Sequence, residues 1–588
     1  MTDCNASPAR MTALPLPARL LSLAGVAAVV GLMFCPVSTG FCGADVALPL
    51  VAATLAVLGA LLLLACRRPF HLTSIDLLLG LWLLYVLLRA WCTPDVPCLP
   101  AVLRALSLAA LYAALRLLCS CALPTVPVME GAVSLFALLQ ALLCLAQVVT
   151  GSSRHAAFPI TGTFLNPGPC SAALLMGLCL GVYRFFFPIP SASARLSHAS
   201  STLSIVTLVL CSLLLPLGWS RAALLSLACC LVVATWRRMR PRVRLLVMLG
   251  VLVAVALLYL LKRGSADGRV LFYAISSSAV VRHPMAGSGI GSFFLTYARE
   301  TASLHTHLPM TLASHASTLD YALCDGLRLA VEQGLLGLSL AILSLFTVLF
   351  HLRRRSPALA LALLGLAFFS LCSYPFQLLP FQLLAVLLAA WAATRPAGGA
   401  WETRDRGPVR GRMCAVVVCA VAVVSALLTV RPAHERVLAT RQSRLIVGRD
   451  HPRMLVHYQR LLPYMRHDAQ FLFRYGQLLA SCGRYNESDY VLGQGVLVSN
   501  DAMFHVLRGH NYRHLHAWPQ ACAAYRQAHA QSPSRLYPLL CLMRLYRQMG
   551  RRDQAVRTAR MLLRLPVEHD SALAREIRDE AKNCILEQ

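Results

Sequence analysis

Thirteen apolar stretches of 17 to 23 residues divide most of the chain, at about 20–37, 46–66, 74–91, 101–122, 128–150, 168–187, 201–217, 220–236, 243–262, 334–352, 357–374, 377–393 and 413–430. A helix needs roughly 20 apolar residues to cross a hydrocarbon core of about 30 Å, and lipid offers its backbone no partner outside the segment. The pattern predicts an all-α protein: a polytopic membrane domain over residues 1–430 with about 13 transmembrane helices, then a soluble domain over 431–588. Composition agrees, because 57% hydrophobic and 13% charged residues with a mean hydropathy of +0.63 exclude an ordinary soluble enzyme. The first apolar run has no convincing cleavage site after it and reads as a retained span.

Lys and Arg exceed Asp and Glu by 54 to 25. One soluble basic patch would suggest nucleic acid. Here the clusters sit instead in short loops, at Arg67-Arg68, Arg237 to Arg244, Arg353 to Arg355 and Arg395 to Arg412. Basic residues in short loops stay on the cytoplasmic side during insertion, so the charge reports topology and no nucleic-acid partner is expected. Counting from a cytoplasmic N-terminus, segments 151–167 and 262–333 and the whole C-terminal region fall on the opposite side. Most of the 22 Cys lie within apolar runs and read as packing residues. Cys35 with Cys42 and Cys92 with Cys98 fall in outer loops where disulfides are permitted, which makes them the expected pairs.

From Arg431 onward the chain is polar and carries an internal period. Ser488, Leu492, Gly495 and Asn500 recur as Ala521, Tyr525, Ala528 and Pro533, then as Ala555, Ala559 and Leu562 with Pro566 one place early, at offsets of 33 and 34 residues. Small residues where paired helices touch, at this period, resemble tetratricopeptide repeats. Gly483 and Gly550 occupy the expected turns, and His516 stands at the middle one. Stacked hairpins of this kind present a surface for a protein partner.

Chemistry-bearing residues gather outside the spans. Asn166 and Pro167, within Gly162-Thr163-Phe164-Leu165-Asn166-Pro167, precede the sixth span, as a turn opening a helix would. Ser220-Arg221 sits between spans seven and eight, where an outer-side Arg either snorkels or pairs with an anion. The segment from Lys262 to Gln333, far longer than a connecting loop, is expected to be a functional or folded element. Within it Arg269 and Arg282 are candidates to clamp a phosphate, since a guanidinium matches phosphate oxygens in pairs. Gly287, Gly289 and Gly291 either let backbone approach a ligand or simply turn the chain, and their spacing matches no nucleotide fingerprint. His305 and His307 lack the carboxylates or thiols that would complete a metal set, so no metal is expected. His315 is the first candidate for a base, and Glu332, opening the tenth span, is the second.

In this order and at these spacings the stretches resemble the O-antigen ligase superfamily of polytopic glycosyltransferases. The resemblance covers roughly 150–395 and rests on Gly162 to Pro167, Ser220-Arg221, Gly268-Arg269, His283-Pro284-Met285-Ala286-Gly287-Ser288-Gly289-Ile290-Gly291-Ser292-Phe293, Tyr321 to Gly337 with its Glu-x-Gly-x-x-Gly, and Tyr374-Pro375-Phe376. It implies a glycosyltransferase C-like membrane fold in a bacterial inner membrane. It also implies transfer of a glycan from a polyprenyl-diphosphate donor to a hydroxyl of a glycolipid, glycan or protein acceptor at the periplasmic face, without a cofactor. Arg221, Arg269 and Arg282 would then bind the donor diphosphate, with His315 and Glu332 catalytic. One departure stands out. Where ligases carry a His-x-His-Asn-like element, this chain reads Tyr321-Ala322-Leu323-Cys324-Asp325-Gly326. A polysaccharide polymerase, a transporter and a non-catalytic scaffold for the repeat domain remain as alternatives.

Overall fold

The structure, a computed structural model, describes residues 16–34, 44–66, 71–94, 96–187, 194–236, 239–261, 263–305, 309, 312, 315–316, 319–394, 408–445, 451–565 and 571–586. The described residues are helical throughout, without strands. Helices α1 (Leu16–Met33), α2 (Ala44–Cys66), α3 (Ser74–Cys92), α4 (Leu99–Cys121), α5 (Val126–Thr150), α6 (Pro167–Phe186), α7 (Ala194–Leu214), α8 (Arg221–Thr235) and α9 (Pro241–Leu261) carry the first nine apolar stretches. After α10 (Arg263–Arg282) and α11 (Phe293–Leu304), the apolar pattern resumes in α12 (Asp325–Arg355), α13 (Pro357–Leu371), α14 (Leu379–Ala393) and α15 (Pro408–Leu445). By length and composition, seven described helices can cross a bilayer, α1 to α6 and α12. The apolar stretches in α7, α8, α13, α14 and α15 are shorter.

Close packing in this bundle follows from small residues. A side-chain carbon added at Gly177 would lie 2.7 Å from the Ala137 methyl, and one at Gly181 would lie 3.1 Å from the Ser204 carbonyl. These two glycines, four apart on α6, let α5 and α7 approach at backbone distance. Two buried ion pairs close the opposite end from the loops discussed below. Arg116 meets Asp76 at 3.2 Å, with the Tyr112 hydroxyl donating to the same carboxylate at 2.6 Å. Arg184 pairs with Glu130, which also accepts from the Ser356 hydroxyl at 2.5 Å. A charge withdrawn from water is tolerated only with such partners.

The described residues of the segment over 263–333 form a folded unit, as its length led one to expect. Leu271, Phe272, Ile275 and Ala279 of α10 pack with Phe293 and Tyr297 of α11 and with Ala316, Ala322, Cys324 and Val331 in a core of their own.

The boundary expected at residue 430 falls inside α15, which runs unbroken to Leu445. Beyond it come α16 (His451–Met465), α17 (Ala469–Ser481), α18 (Tyr485–Val498), α19 (Met503–His514), α20 (Trp518–Gln531), α21 (Leu536–Gln548), α22 (Arg552–Arg564) and α23 (Ala572–Leu586). Three hairpins, α17–α18, α19–α20 and α21–α22, turn at Gly483, His516 and Gly550, all with left-handed backbone at φ of 76°, 56° and 71°. The periodic small residues do what their spacing predicts: Ser488, Ala521 and Ala555 are buried on the second helix of each pair. This is a tetratricopeptide-like helical-repeat domain.

Cys35 and Cys42 lie outside the described residues. Cys92 and Cys98 are free thiols, which corrects the expected disulfide. Cys92 is exposed on the last turn of α3 while Cys98 precedes α4, and the intervening turn is held by backbone bonds from Val96 to Thr93 and Cys98 to Val96.

Candidate functional site

Four chain segments far apart in sequence meet at one end of the bundle. The first is residues 161–166. Two buried glutamines of α5 grip its backbone: Gln147 Oε1 accepts from the amides of Thr161 and Gly162 at 2.8 and 2.9 Å, and Gln140 Oε1 accepts from Thr163 at 3.1 Å. The segment leads to Asn166, whose Oδ1 caps α6 by accepting from Gly168 at 3.3 Å. The two glutamines were overlooked in the sequence, although polar residues seven apart inside an apolar span were the signal.

The second segment is the turn before α8. Trp219, three-quarters exposed, takes left-handed backbone at φ 46°, a strained state for a bulky residue. Ser220 then caps α8 through the Ala223 amide at 3.4 Å, which presents Arg221 on the first turn.

The third is α10. Arg269 donates to the Cys372 carbonyl at the end of α13, and Tyr273, one turn on, donates to the Leu371 carbonyl at 2.6 Å. The Arg269 guanidinium lies close enough to Arg221 for the two to repel.

The fourth is residues 319–325, pinned against the turn between α13 and α14. Gln377 clasps Ala322, accepting from its amide at 3.1 Å and donating to its carbonyl at 2.8 Å. Asp325 accepts from the Phe376 amide at 3.0 Å and from Gln377 at 2.9 Å. The rings of Tyr321 and Tyr374 stack with centroids 4.5 Å apart and planes 3° from parallel. Burial pushes the Tyr374 phenol above its ordinary pKa, with the charges of Tyr321 and Asp320 adding to the effect, while Asn166 and Arg269 act against it. Tyr374 thus stays protonated and links Asn166, Arg269 and Asp320 into one neighbourhood.

The other sequence candidates lie elsewhere. Arg282 is thirteen residues along α10 from Arg269, about 20 Å at 1.5 Å per residue, and its charge is matched by Glu300 at 2.7 Å. Glu332 is buried about 10 Å along α12 from Asp325 and pairs with Arg328 at 3.2 Å.

Gly287 and Gly289 approach protein rather than open space. Ser288 and Gly289 donate to the Val331 and Glu332 carbonyls at 2.8 and 3.0 Å, and a side-chain carbon at Gly287 would lie 2.5 Å from the Gly334 nitrogen. Gly291 faces the 97–98 backbone. The glycine run is a clasp on the broken start of α12.

His315 packs on the α10 face made by Gly264 and Gly268, at 3.6 and 3.8 Å from carbons placed there. His305 faces His529 of the repeat domain with ring centroids 6.4 Å apart. His307 lies outside the described residues.

Repeat domain and site segment touch directly. The Leu319 amide donates to Asn500 Oδ1 at 3.3 Å, and the Ser534 hydroxyl donates to the Ala316 carbonyl at 3.3 Å. The repeat domain and the 263–333 unit are therefore on the same side of the apolar bundle.

No family model matches the chain, and no curated protein does. Solved structures similar to it include two of MamA, at 19% identity over 23% of this chain and 85% of that one with a TM-score of 0.19, and at 17% over 26% and 88% with a TM-score of 0.20. The Cut9–Hcn1 hetero-tetramer of the APC/C is similar at 14% identity, over 84% of this chain and 88% of that one, with a TM-score of 0.21. Scores this low carry no argument, and the repeat architecture rests on the turns and helix contacts described above.

Proposed function

We propose that the chain is a membrane glycosyltransferase of the O-antigen ligase type. It moves a glycan from a polyprenyl-diphosphate donor to an acceptor hydroxyl at the periplasmic face of a bacterial inner membrane. The observation that carries this reading is that Arg221, on the first turn of α8, and Arg269, bonded to the Cys372 carbonyl, come near enough for their charges to act on one another at the end of the bundle where α6 and α8 begin. Two guanidinium charges near one another at such a place are stabilised by an anion between them.

The chemistry follows from that arrangement. The acceptor oxygen attacks the anomeric carbon of the donor sugar, the bond from that carbon to the diphosphate oxygen breaks, and polyprenyl diphosphate leaves with the bonding pair. Arg221 and Arg269 stabilise the charge that develops on the leaving group. A titratable group of the 315–325 segment takes the hydroxyl proton. Polymerisation of lipid-linked glycans uses the same donor and the same steps.

A scaffold reading draws support from one contact, the use of Arg269 to hold the Cys372 carbonyl. An arginine has five N–H donors, however, and that bond occupies one.

The test compares surface glycans and glycoproteins in cells lacking the protein, restored with the native chain, Arg221→Ala or Arg269→Ala at matched membrane levels. Loss of capped lipid, long polymer or glycoprotein with accumulation of lipid-linked donor supports transfer and identifies the acceptor class. Full restoration by both variants overturns it.

A further inference from the structure

Transfer to a hydroxyl needs a base beside the arginine pair, and the two residues expected to serve are turned to other tasks. Glu332 is buried against Arg328 behind the glycine clasp. His315 covers the Gly264 and Gly268 face of α10, and Arg269, the next position along, points about 100° away from Gly268 on a helix of 3.6 residues per turn. Asp325 is occupied by the Phe376 amide and the Gln377 side chain.

One carboxylate of the segment remains open to an incoming acceptor. Asp320 is exposed. It immediately precedes Tyr321, whose ring lies flat on Tyr374, and its charge reaches the Tyr374 phenol, which also feels Arg269.

The position of Asp320 is fixed from both flanks. On one side Gln377 clasps Ala322. On the other the Leu319 amide is held by Asn500, a buried side chain that belongs to the repeat domain.

We infer that Asp320 takes the proton of the acceptor hydroxyl, and that the repeat domain sets the position of this carboxylate through the Asn500 bond to Leu319. The inference rests on the glycan-transfer reading. It gives the repeat domain a place in the reaction itself, since its Asn500 holds the residue that precedes the base. In the step, the Asp320 carboxylate gains the proton as the acceptor oxygen bonds to the sugar, and the diphosphate departs with the electron pair of the broken bond.

The experiment uses the full chain in cells that supply their own lipid-linked glycan, at matched membrane levels. Asp320→Asn is expected to lower transfer about 100-fold or more, the usual loss with a general base, and Asp320→Glu to retain more of it than Asp320→Asn. Asn500→Ala is expected to speed hydrogen exchange of the peptide containing Leu319 and to lower transfer, whereas Asn500→Asp, which keeps the accepting oxygen, restores both. Hydrogen exchange is read on purified protein in detergent and needs no activity.

Transfer unaffected by Asp320→Asn but abolished by Arg269→Ala overturns the base assignment and leaves glycan transfer standing. Indifference to both substitutions overturns the transfer reading itself. Unchanged exchange at Leu319 in Asn500→Ala overturns the positioning role whatever the activity shows.

Discussion

Gly287 and Gly334 meet backbone to backbone, each with left-handed φ, at 70° and 68°. A side-chain carbon on Gly334 would stand 2.2 Å from the Met285 carbonyl oxygen, and one on Gly287 would stand 2.5 Å from the Gly334 nitrogen. The contact lets Leu335 and Leu336 donate to the Pro284 and Met285 carbonyls where α12 is broken. Either glycine replaced by alanine combines an unfavourable backbone with a clash against rigid main chain. A loss of about 2–4 kcal/mol is expected, seen as a lower thermal midpoint of the full chain in detergent. An unchanged midpoint in both variants would remove the clasp from the account of the fold.

Arginines 221, 269 and 282 separate cleanly by place. Alanine at 221 or 269 should cost transfer about 10²–10³-fold, the usual scale for one preorganised donor. Arg282→Ala should leave transfer unchanged, but it strips the buried Glu300 carboxylate of its ion pair, leaving the Ser278 hydrogen bond at 3.0 Å, and should cost up to about 3–5 kcal/mol of stability. Equal loss of transfer in all three would put Arg282 back into the donor site.

His516 stands at a hairpin turn whose two counterparts are Gly483 and Gly550. Left-handed backbone costs a residue with a Cβ roughly 1–2 kcal/mol, of which Gly gives back part through its freer unfolded state. His516→Gly should therefore stabilise the repeat domain by up to about 1 kcal/mol, measured by calorimetry on the full chain. Destabilisation would mean that the imidazole, set edge-on to Trp518 at 5.2 Å, contributes more than the strain costs.

Three histidines of the repeat domain are held neutral. Burial lowers His505, His510 and His529 from 6.5 to about 4, with Arg508, Arg513 and His305 respectively as the next cause. A group whose folded pKa is depressed binds fewer protons folded than unfolded, so its stabilising contribution is full above about pH 6.5 and is lost as pH falls toward 4. The domain's thermal midpoint should fall across that window, and more shallowly in His529→Gln. A flat profile would mean that these rings are solvated.

The helices were largely legible in the sequence, because an apolar run of bilayer length has few alternatives and because local signals mark its ends. Thr73 and Asp76 form a capping box at α3, and Asn166 caps α6 ahead of Pro167. The length of 263–333 marked it as a functional or folded element, but its helices were hidden by its polar composition, although Leu271, Phe272, Ile275 and Ala279 keep a helical period. Its glycines invited a ligand reading because their true partner, Gly334, is remote in sequence. Arg221 and Arg269 could be singled out by their positions at or beyond the ends of the apolar stretches and by the charge topology expected from the sequence. Asp320 could not, since what distinguishes it is the stack of its neighbour Tyr321 on Tyr374 and the bond from its other neighbour, Leu319, to Asn500.

Helix α15 has 38 residues and is therefore about 57 Å long, against a hydrocarbon slab of about 30 Å. Its excess works as a spar with a definite length and compass bearing. One residue inserted between the slab and Leu445 would raise the end of the helix by about 1.5 Å and swing it by about 100°. Seven residues would nearly restore the bearing but add about 10 Å of height. The length of this helix thus sets how far its polar end stands from the apolar slab.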